Sequence, residues 1–102
     1  MTGEKVKAVL QKYREQLEVY GPALKPERLE GHSTKNHAPY LGALRQNQHL
    51  KFMCEEAQRF VDQGRIEKAM RWLGFIQGWF WKSGIFSLDD LKNHSRPDDH
   101  VV

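Results

Sequence analysis

The sequence has one cysteine, no long apolar run and no large excess of charge of one sign. Cys54 alone cannot form an internal disulfide, and the charged start MTGEKVK is unlike a signal peptide, which favours a reducing cytoplasm over secretion. The most apolar stretch covers only residues 72–81 and contains Gln77. A bilayer span needs about 20 apolar residues, so this stretch predicts a core or an interface and not a membrane helix.

Basic residues are only slightly in excess. The net charge is +3, and 16 basic residues are interspersed with 13 acidic ones. A mixed surface of this kind does not require a nucleic-acid partner. The chain of 102 residues fits one compact domain, which buries about two-thirds of the surface that its unfolded chain exposes.

Motifs for metal or nucleotide chemistry are missing. The sequence contains no CxxC or HxxxH pair, and its GFIQG segment does not match the dinucleotide fingerprint. His32 and His37 are five residues apart, as are His49 and Cys54. On a helix this spacing turns the two side chains about 140° away from each other. We therefore expect no metal and no cofactor.

The remaining reactive groups have structural explanations. Cys54 falls within an apolar stripe, as a small buried hydrophobic residue would. Asp89 and Asp90 occupy the first turn of a predicted helix, where negative charge stabilises the helix dipole. No polar groups occur at a recognisable catalytic spacing. The sequence thus predicts a protein without catalytic residues that is not an enzyme.

Residues 65–82, RIEKAMRWLGFIQGWFWK, hold five of the eleven aromatic side chains. As a helix, this segment has an apolar arc of about 240°, wider than the stripe of an ordinary surface helix. Two sides of such a helix would have to be covered. Two glycines in the remaining polar strip would let another backbone approach closely. The strip consists of Glu67, Arg71, Gly74, Gly78 and Lys82.

Apolar periodicity, caps and breakers predict three further helices, over about 2–20, 46–63 and 87–94. The first has one apolar stripe, made of Val6, Val9, Leu10, Tyr13, Leu17 and Tyr20. The second has another, made of Leu50, Met53, Cys54, Ala57, Phe60 and Val61. The fourth begins with a capping box, Ser87 to Asp90, and a hydrophobic staple between Phe86 and Leu91.

Gly64 leaves almost no linker between the second and third helices, which predicts an antiparallel αα-hairpin. The fold class expected is therefore all-α, a small helical bundle built on that hairpin, with three main helices and a short C-terminal helix. We expect one domain over 1–97 and a disordered tail over 98–102.

The connection over 23–39 is predicted to be irregular, since it holds two of the four prolines and a polar run. Its length exceeds that of a usual connection. Within it, a single helical turn after Pro26 would point Leu29 inward. After Pro39 we expect a separate short helix, or a kink near Gly42.

The wide apolar arc also predicts self-association, as a homodimer or a higher symmetric oligomer with Trp79 and Trp81 near the contact. Phe52 lies off the second stripe and is a second candidate docking point, although the 23–39 loop could equally cover it. The predicted interface residues are Phe52, Arg59, Arg71, Trp79, Trp81 and Tyr40.

Nucleic-acid binding is the alternative function. The Gly64 turn superficially resembles a helix-turn-helix, but the recognition helix would be the Trp-rich one, whose surface is aromatic and not basic. A milder version uses basic residues of the N-terminal third to contact phosphates. Those residues are Lys5, Lys7, Lys12, Arg14, Lys25, Arg28 and Lys35.

Residues 49–97, with the core GRIEKAMRWLGFIQG and a short closing helix, resemble small uncharacterised proteins of tailed bacteriophages and prophages. The resemblance covers about half of the chain and rests on packing residues. It implies a shared helical fold and a phage accessory origin, with the bacterial host cytoplasm as location, and it brings no catalytic residues. The function expected is that of a non-enzymatic protein-binding factor that modulates a host protein or host defence.

Overall fold

The computed structural model describes residues 1–29 and 39–96, and for residues 39–41 it describes the backbone alone. Within these ranges helices are the only regular secondary structure, which confirms the all-α prediction. The elements are α1 (Gly3–Tyr20), α2 (Pro39–Asp62), α3 (Ile66–Lys82) and α4 (Leu88–His94). The helical turn predicted after Pro26 extends to residue 30, which lies outside the described residues, as do Lys35 and the 98–102 tail.

Helix α1 begins and ends as its sequence predicts. The Thr2 side chain accepts a hydrogen bond from the Lys5 amide, as an N-cap does, and the helix stops before Gly21. The apolar stripe is buried except at its last member, Tyr20, which is 55% exposed. Tyr20 lies two turns beyond Tyr13, whose ring already packs on Phe80 near the end of α3. Nothing of α3 is left to cover Tyr20.

Helix α2 starts earlier than predicted. It is one helix from Pro39 onward, so the expected start near Gln46 and the separate short helix after Pro39 are wrong. Proline fits the first position of a helix because that amide needs no partner. Gly42 lies inside the helix, and a Cβ added there would meet nothing within 4 Å.

The segment after Pro26 is not helical over residues 26–29, contrary to expectation. Its amides bond elsewhere: the Glu27 N–H donates to the Gln48 carbonyl at 3.0 Å, and the Leu29 N–H donates to His49 Nδ1 at 2.9 Å. Both acceptors are on α2. In a helix that begins at Pro26, the Leu29 amide would bond to the Lys25 carbonyl, so its bond to His49 replaces that helical hydrogen bond.

Helices α1 and α2 run antiparallel. The residue numbers of the side-chain contacts rise along α1 and fall along α2. Lys7 contacts Asp62, Gln11 contacts Gln58, and Arg14 contacts Glu55. Helix α3 turns back on α2 at Gly64, whose φ of +78° is readily adopted by glycine. This confirms the predicted hairpin. Helix α2 therefore lies against both α1 and α3.

The core lies where these three helices meet and is closed at one end by α4. Burial raises the pKa of the Cys54 thiol to about 12, so Cys54 is a core residue, as predicted, and no activated nucleophile. At the start of α4, Ser87 and Asp90 form the predicted capping box. The buried apolar residues are Val6, Val9, Leu10, Tyr13, Leu17, Leu50, Met53, Cys54, Ala57, Phe60, Ala69, Leu73, Ile76, Phe80 and Leu91.

Candidate protein-docking surface

The Trp-rich helix α3 is covered on one side only. Ala69, Leu73, Ile76 and Phe80 are buried against the other helices. The opposite side, called here the outer face of α3, is exposed along the whole helix. It comprises Glu67, Met70, Arg71, Gly74, Phe75, Gly78, Trp81 and Lys82.

Three large apolar side chains stand on this outer face. Met70 is 41% exposed, Trp81 53% and Phe75 59%. At 100° per residue, Met70 and Trp81 lie on one side of the glycines and Phe75 on the other. A Cβ added at Gly74 or at Gly78 would meet nothing within 4 Å. The face is therefore a shallow furrow with apolar walls, wide enough for another helix to approach.

Two other tryptophans of the segment belong to the packed structure. Trp72 packs edge-on against Phe60, with ring centroids 4.8 Å apart. Trp79 is half-buried, and its indole N–H donates to Gln46 Oε1 at 3.0 Å. Both rings are thus partly covered within the molecule, and the exposed apolar arc of α3 is narrower than the sequence predicts.

The predicted interface residues do not share one surface. Arg71 and Trp81 lie on the outer face of α3. Phe52 is half-buried between His49 and Trp72, with ring centroids 6.1 and 6.5 Å away. Arg59 is exposed and bonded to Glu56 at 2.7 Å. Only the backbone of Tyr40 is described.

Lys51, which precedes Phe52 on α2, is fully buried. Its ammonium donates to the carbonyl oxygens of Gly21 and Leu24, at 2.6 and 2.8 Å, and pairs with Glu18 at 3.1 Å. Lys51 thereby ties the turn after α1 to α2. The sequence shows no signal for this, since a lysine beside an apolar stripe is normally solvated.

Six of the seven basic residues of the nucleic-acid alternative lie in the described part of the chain, and these six are dispersed. Lys7 pairs with Asp62 at 2.7 Å, and Arg14 pairs with Glu55 and Glu18 at 2.8 and 3.2 Å. Lys25 and Arg28 are exposed beyond α1. Lys5 and Lys12 line a recess of about 400 Å³ together with Ala8, Val9, Asn93 and His94.

His94 at this recess belongs to a cluster with Tyr13 and Gln77. Its Nδ1 lies 2.9 Å from the Tyr13 hydroxyl, which also accepts a bond from the Gln77 amide at 3.1 Å. Burial, and then the charge of Lys12, lower the pKa of His94. Burial also acts on the Tyr13 hydroxyl, whose pKa it raises. The cluster joins α1, α3 and α4 and serves to close the core.

Glu18 makes the folded protein sensitive to acid. Its carboxylate accepts the Ala23 N–H and contacts Lys51 and Arg14, which lowers its pKa from 4.5 to about 2. Because the folded pKa is depressed, this contribution to stability is full above pH 4.5 and disappears as the pH falls through about 2.

We expect the free energy of unfolding of Glu18→Gln to depend less on pH over that window than the wild type does. Urea unfolding at pH 5, 4 and 3 measures this, with the exposed Glu15→Gln of the same helix as control. Equal pH slopes for all three proteins would contradict the role assigned to Glu18.

Within residues 1–29 and 39–96, no group of three or more histidine, cysteine or acidic side chains is arranged to hold a metal ion. None of the described helices is long and apolar enough to cross a membrane. No protein-family model, curated protein or solved structure matches the chain.

Proposed function

We propose that this protein is a non-enzymatic accessory factor that acts by binding another protein through the outer face of α3. The observation that carries the proposal is the exposure of Phe75 and Trp81, both more than half accessible, on one face of a helix. Large aromatic side chains are enriched at the centres of protein interfaces. Exposing them without a partner leaves apolar surface in contact with water.

The composition of this face also supports protein over nucleic acid as partner. Its charged residues are Glu67, Arg71 and Lys82, which lie between the apolar walls in the strip that holds the two glycines, and they carry both signs of charge. A phosphate-binding surface needs clustered cations, whereas Lys7 and Arg14 are already paired with carboxylates. A mobility shift with duplex and single-stranded nucleic acid at two salt concentrations tests the alternative. Tight binding that weakens steeply with salt would favour it.

The partner class follows from the resemblance of residues 49–97 to phage accessory proteins. On that basis we propose a host or phage protein as partner, met in the bacterial host cytoplasm, where binding would modulate a host protein or host defence.

Affinity capture with matched variants tests the docking surface. Wild type, Phe75→Ser/Trp81→Ser and the control Val19→Ser/Tyr20→Ser are immobilised, and proteins bound from a bacterial lysate are quantified by mass spectrometry. Val19 and Tyr20 are 69% and 55% exposed on α1, so the control removes similar apolar area elsewhere. We expect a partner that the outer-face variant captures about tenfold less. Equal capture by all three proteins would refute the surface.

A further inference from the structure

We propose that the outer face of α3 binds the same face of a second copy of the chain, with the two helices antiparallel about a two-fold axis near Phe75. This inference rests on the proposed function, because the second copy would use the same surface as the host or phage partner. In such an isologous pair, residue numbers that meet across the axis add up to an almost constant sum.

The charges on the face are complementary in this arrangement. Glu67 lies in the first turn of α3 and Lys82 in the last. If the numbers of facing residues add up to 149, Glu67 lies opposite the partner's Lys82. The two-fold axis repeats this contact at the other end of the pair. A parallel pair would place each residue opposite its own copy, which brings like charges together. Electrostatics therefore favours the antiparallel orientation.

These charges have no other partner in the described part of the chain. Glu67, Arg71 and Lys82 take part in none of its ion pairs or side-chain hydrogen bonds. In the antiparallel pair Arg71 would face the partner's Gly78, where no side chain obstructs it.

The apolar groups match in the same register. Phe75 lies next to the axis and meets the partner's Phe75. Met70 lies opposite the partner's Trp81 on the same side of the furrow, and a methionine sulfur against an indole ring is a favourable contact. Gly74 and Gly78 leave room on each face for the partner's side chains, since a Cβ added at either position would meet nothing within 4 Å.

The small apolar area of the outer face limits the affinity of the dimer. Met70, Phe75 and Trp81 are 41%, 59% and 53% exposed, which amounts to roughly 300 Å² per copy for side chains of about 200 Å² each. Even with the area of Glu67, Arg71 and Lys82 added, the interface of the pair falls at the low end of the size range of specific interfaces. The structure therefore points to a weak dimer that forms at micromolar or higher concentration.

Charge reversal tests the register. Sedimentation equilibrium from 10 to 500 µM compares wild type, Glu67→Lys, Lys82→Glu and the double reversal. Each single reversal replaces two attractive pairs by two repulsive ones and should raise the dimer Kd about tenfold. The double reversal should return it to near the wild-type value. In a parallel dimer each single reversal would leave the like-charge pairs in place and the Kd unchanged, and that result would overturn the proposal.

The same experiment separates this inference from the proposed function. Dimerisation lost in Phe75→Ser/Trp81→Ser but kept in Val19→Ser/Tyr20→Ser supports the face. A wild type that stays monomeric at 500 µM overturns the inference. If the outer-face variant then still loses a captured protein, the proposed function stands with a different partner. If it captures everything that the wild type does, both are refuted.

Discussion

Replacing Phe80 by alanine should destabilise the protein by about 3–5 kcal/mol, as expected for removing a fully buried aromatic ring. Phe80 is 0% exposed, and its ring centroid lies 4.9 Å from that of Tyr13 and 5.1 Å from that of Phe86. The substitution leaves a cavity where α1, α3 and the segment before α4 meet. Urea unfolding followed by far-ultraviolet circular dichroism measures the loss.

Phe75→Ala is the matched control, since it makes the same chemical change five residues earlier on the same helix. Phe75 is 59% exposed, so its removal should cost well under half as much as that of Phe80. The comparison is made at low micromolar concentration, where the weak dimer proposed above is dissociated. Equal costs at the two positions would mean that the outer face of α3 is packed in the monomer, and the docking surface would be wrong.

Lys51→Met should cost about 3 kcal/mol, the second large effect. Methionine preserves most of the side-chain volume but removes the ammonium that serves Gly21 and Leu24. The Leu24 carbonyl loses its donor, whereas the Gly21 carbonyl keeps the Leu24 N–H at 3.2 Å. An unsatisfied buried polar group costs about 1–3 kcal/mol. Glu18 also loses one of its two cationic partners. Glu18 is 46% exposed, so its carboxylate stays in contact with water after this loss.

Lys25→Met is the control for Lys51→Met because Lys25 is exposed in the segment that follows the same turn. It should change the free energy of unfolding by less than about 0.5 kcal/mol. In Lys51→Met, the amides of Gly21, Ala23 and Leu24 should also exchange hydrogen faster than they do in the wild type, while those at the middle of α1 should not. A Lys51→Met protein as stable as wild type would show that the buried ammonium does not hold the turn.

These contacts also bear on the function. The buried Lys51 and the Tyr13–His94 hydrogen bond join segments distant in sequence, and neither lies on the outer face of α3. Substitutions on that face can therefore be made without disturbing the contacts that hold the helices together. Binding and stability are then separable by experiment.

The sequence alone determined the local features of this protein. The caps at Thr2 and Ser87 and the turn at Gly64 depend on residues within a few positions of each other, so they are legible in a linear pattern. The apolar stripe of α1 likewise predicted the five core residues of that helix, because side chains that recur with the helical period share one face. The exposure of its last member, Tyr20, was not predicted, because the burial of that residue depends on where another helix ends.

Only the tertiary structure decided which apolar and charged groups are covered. The Trp-rich segment could have been buried on two sides; its register against α2 buries Phe80 and leaves Phe75 and Trp81 in solvent. Lys51 is buried because the turn after α1 passes over it, and Lys7 is paired because α1 and α2 run antiparallel. Burial and pairing depend on the spatial register of distant segments, and local periodicity carries no information on that register.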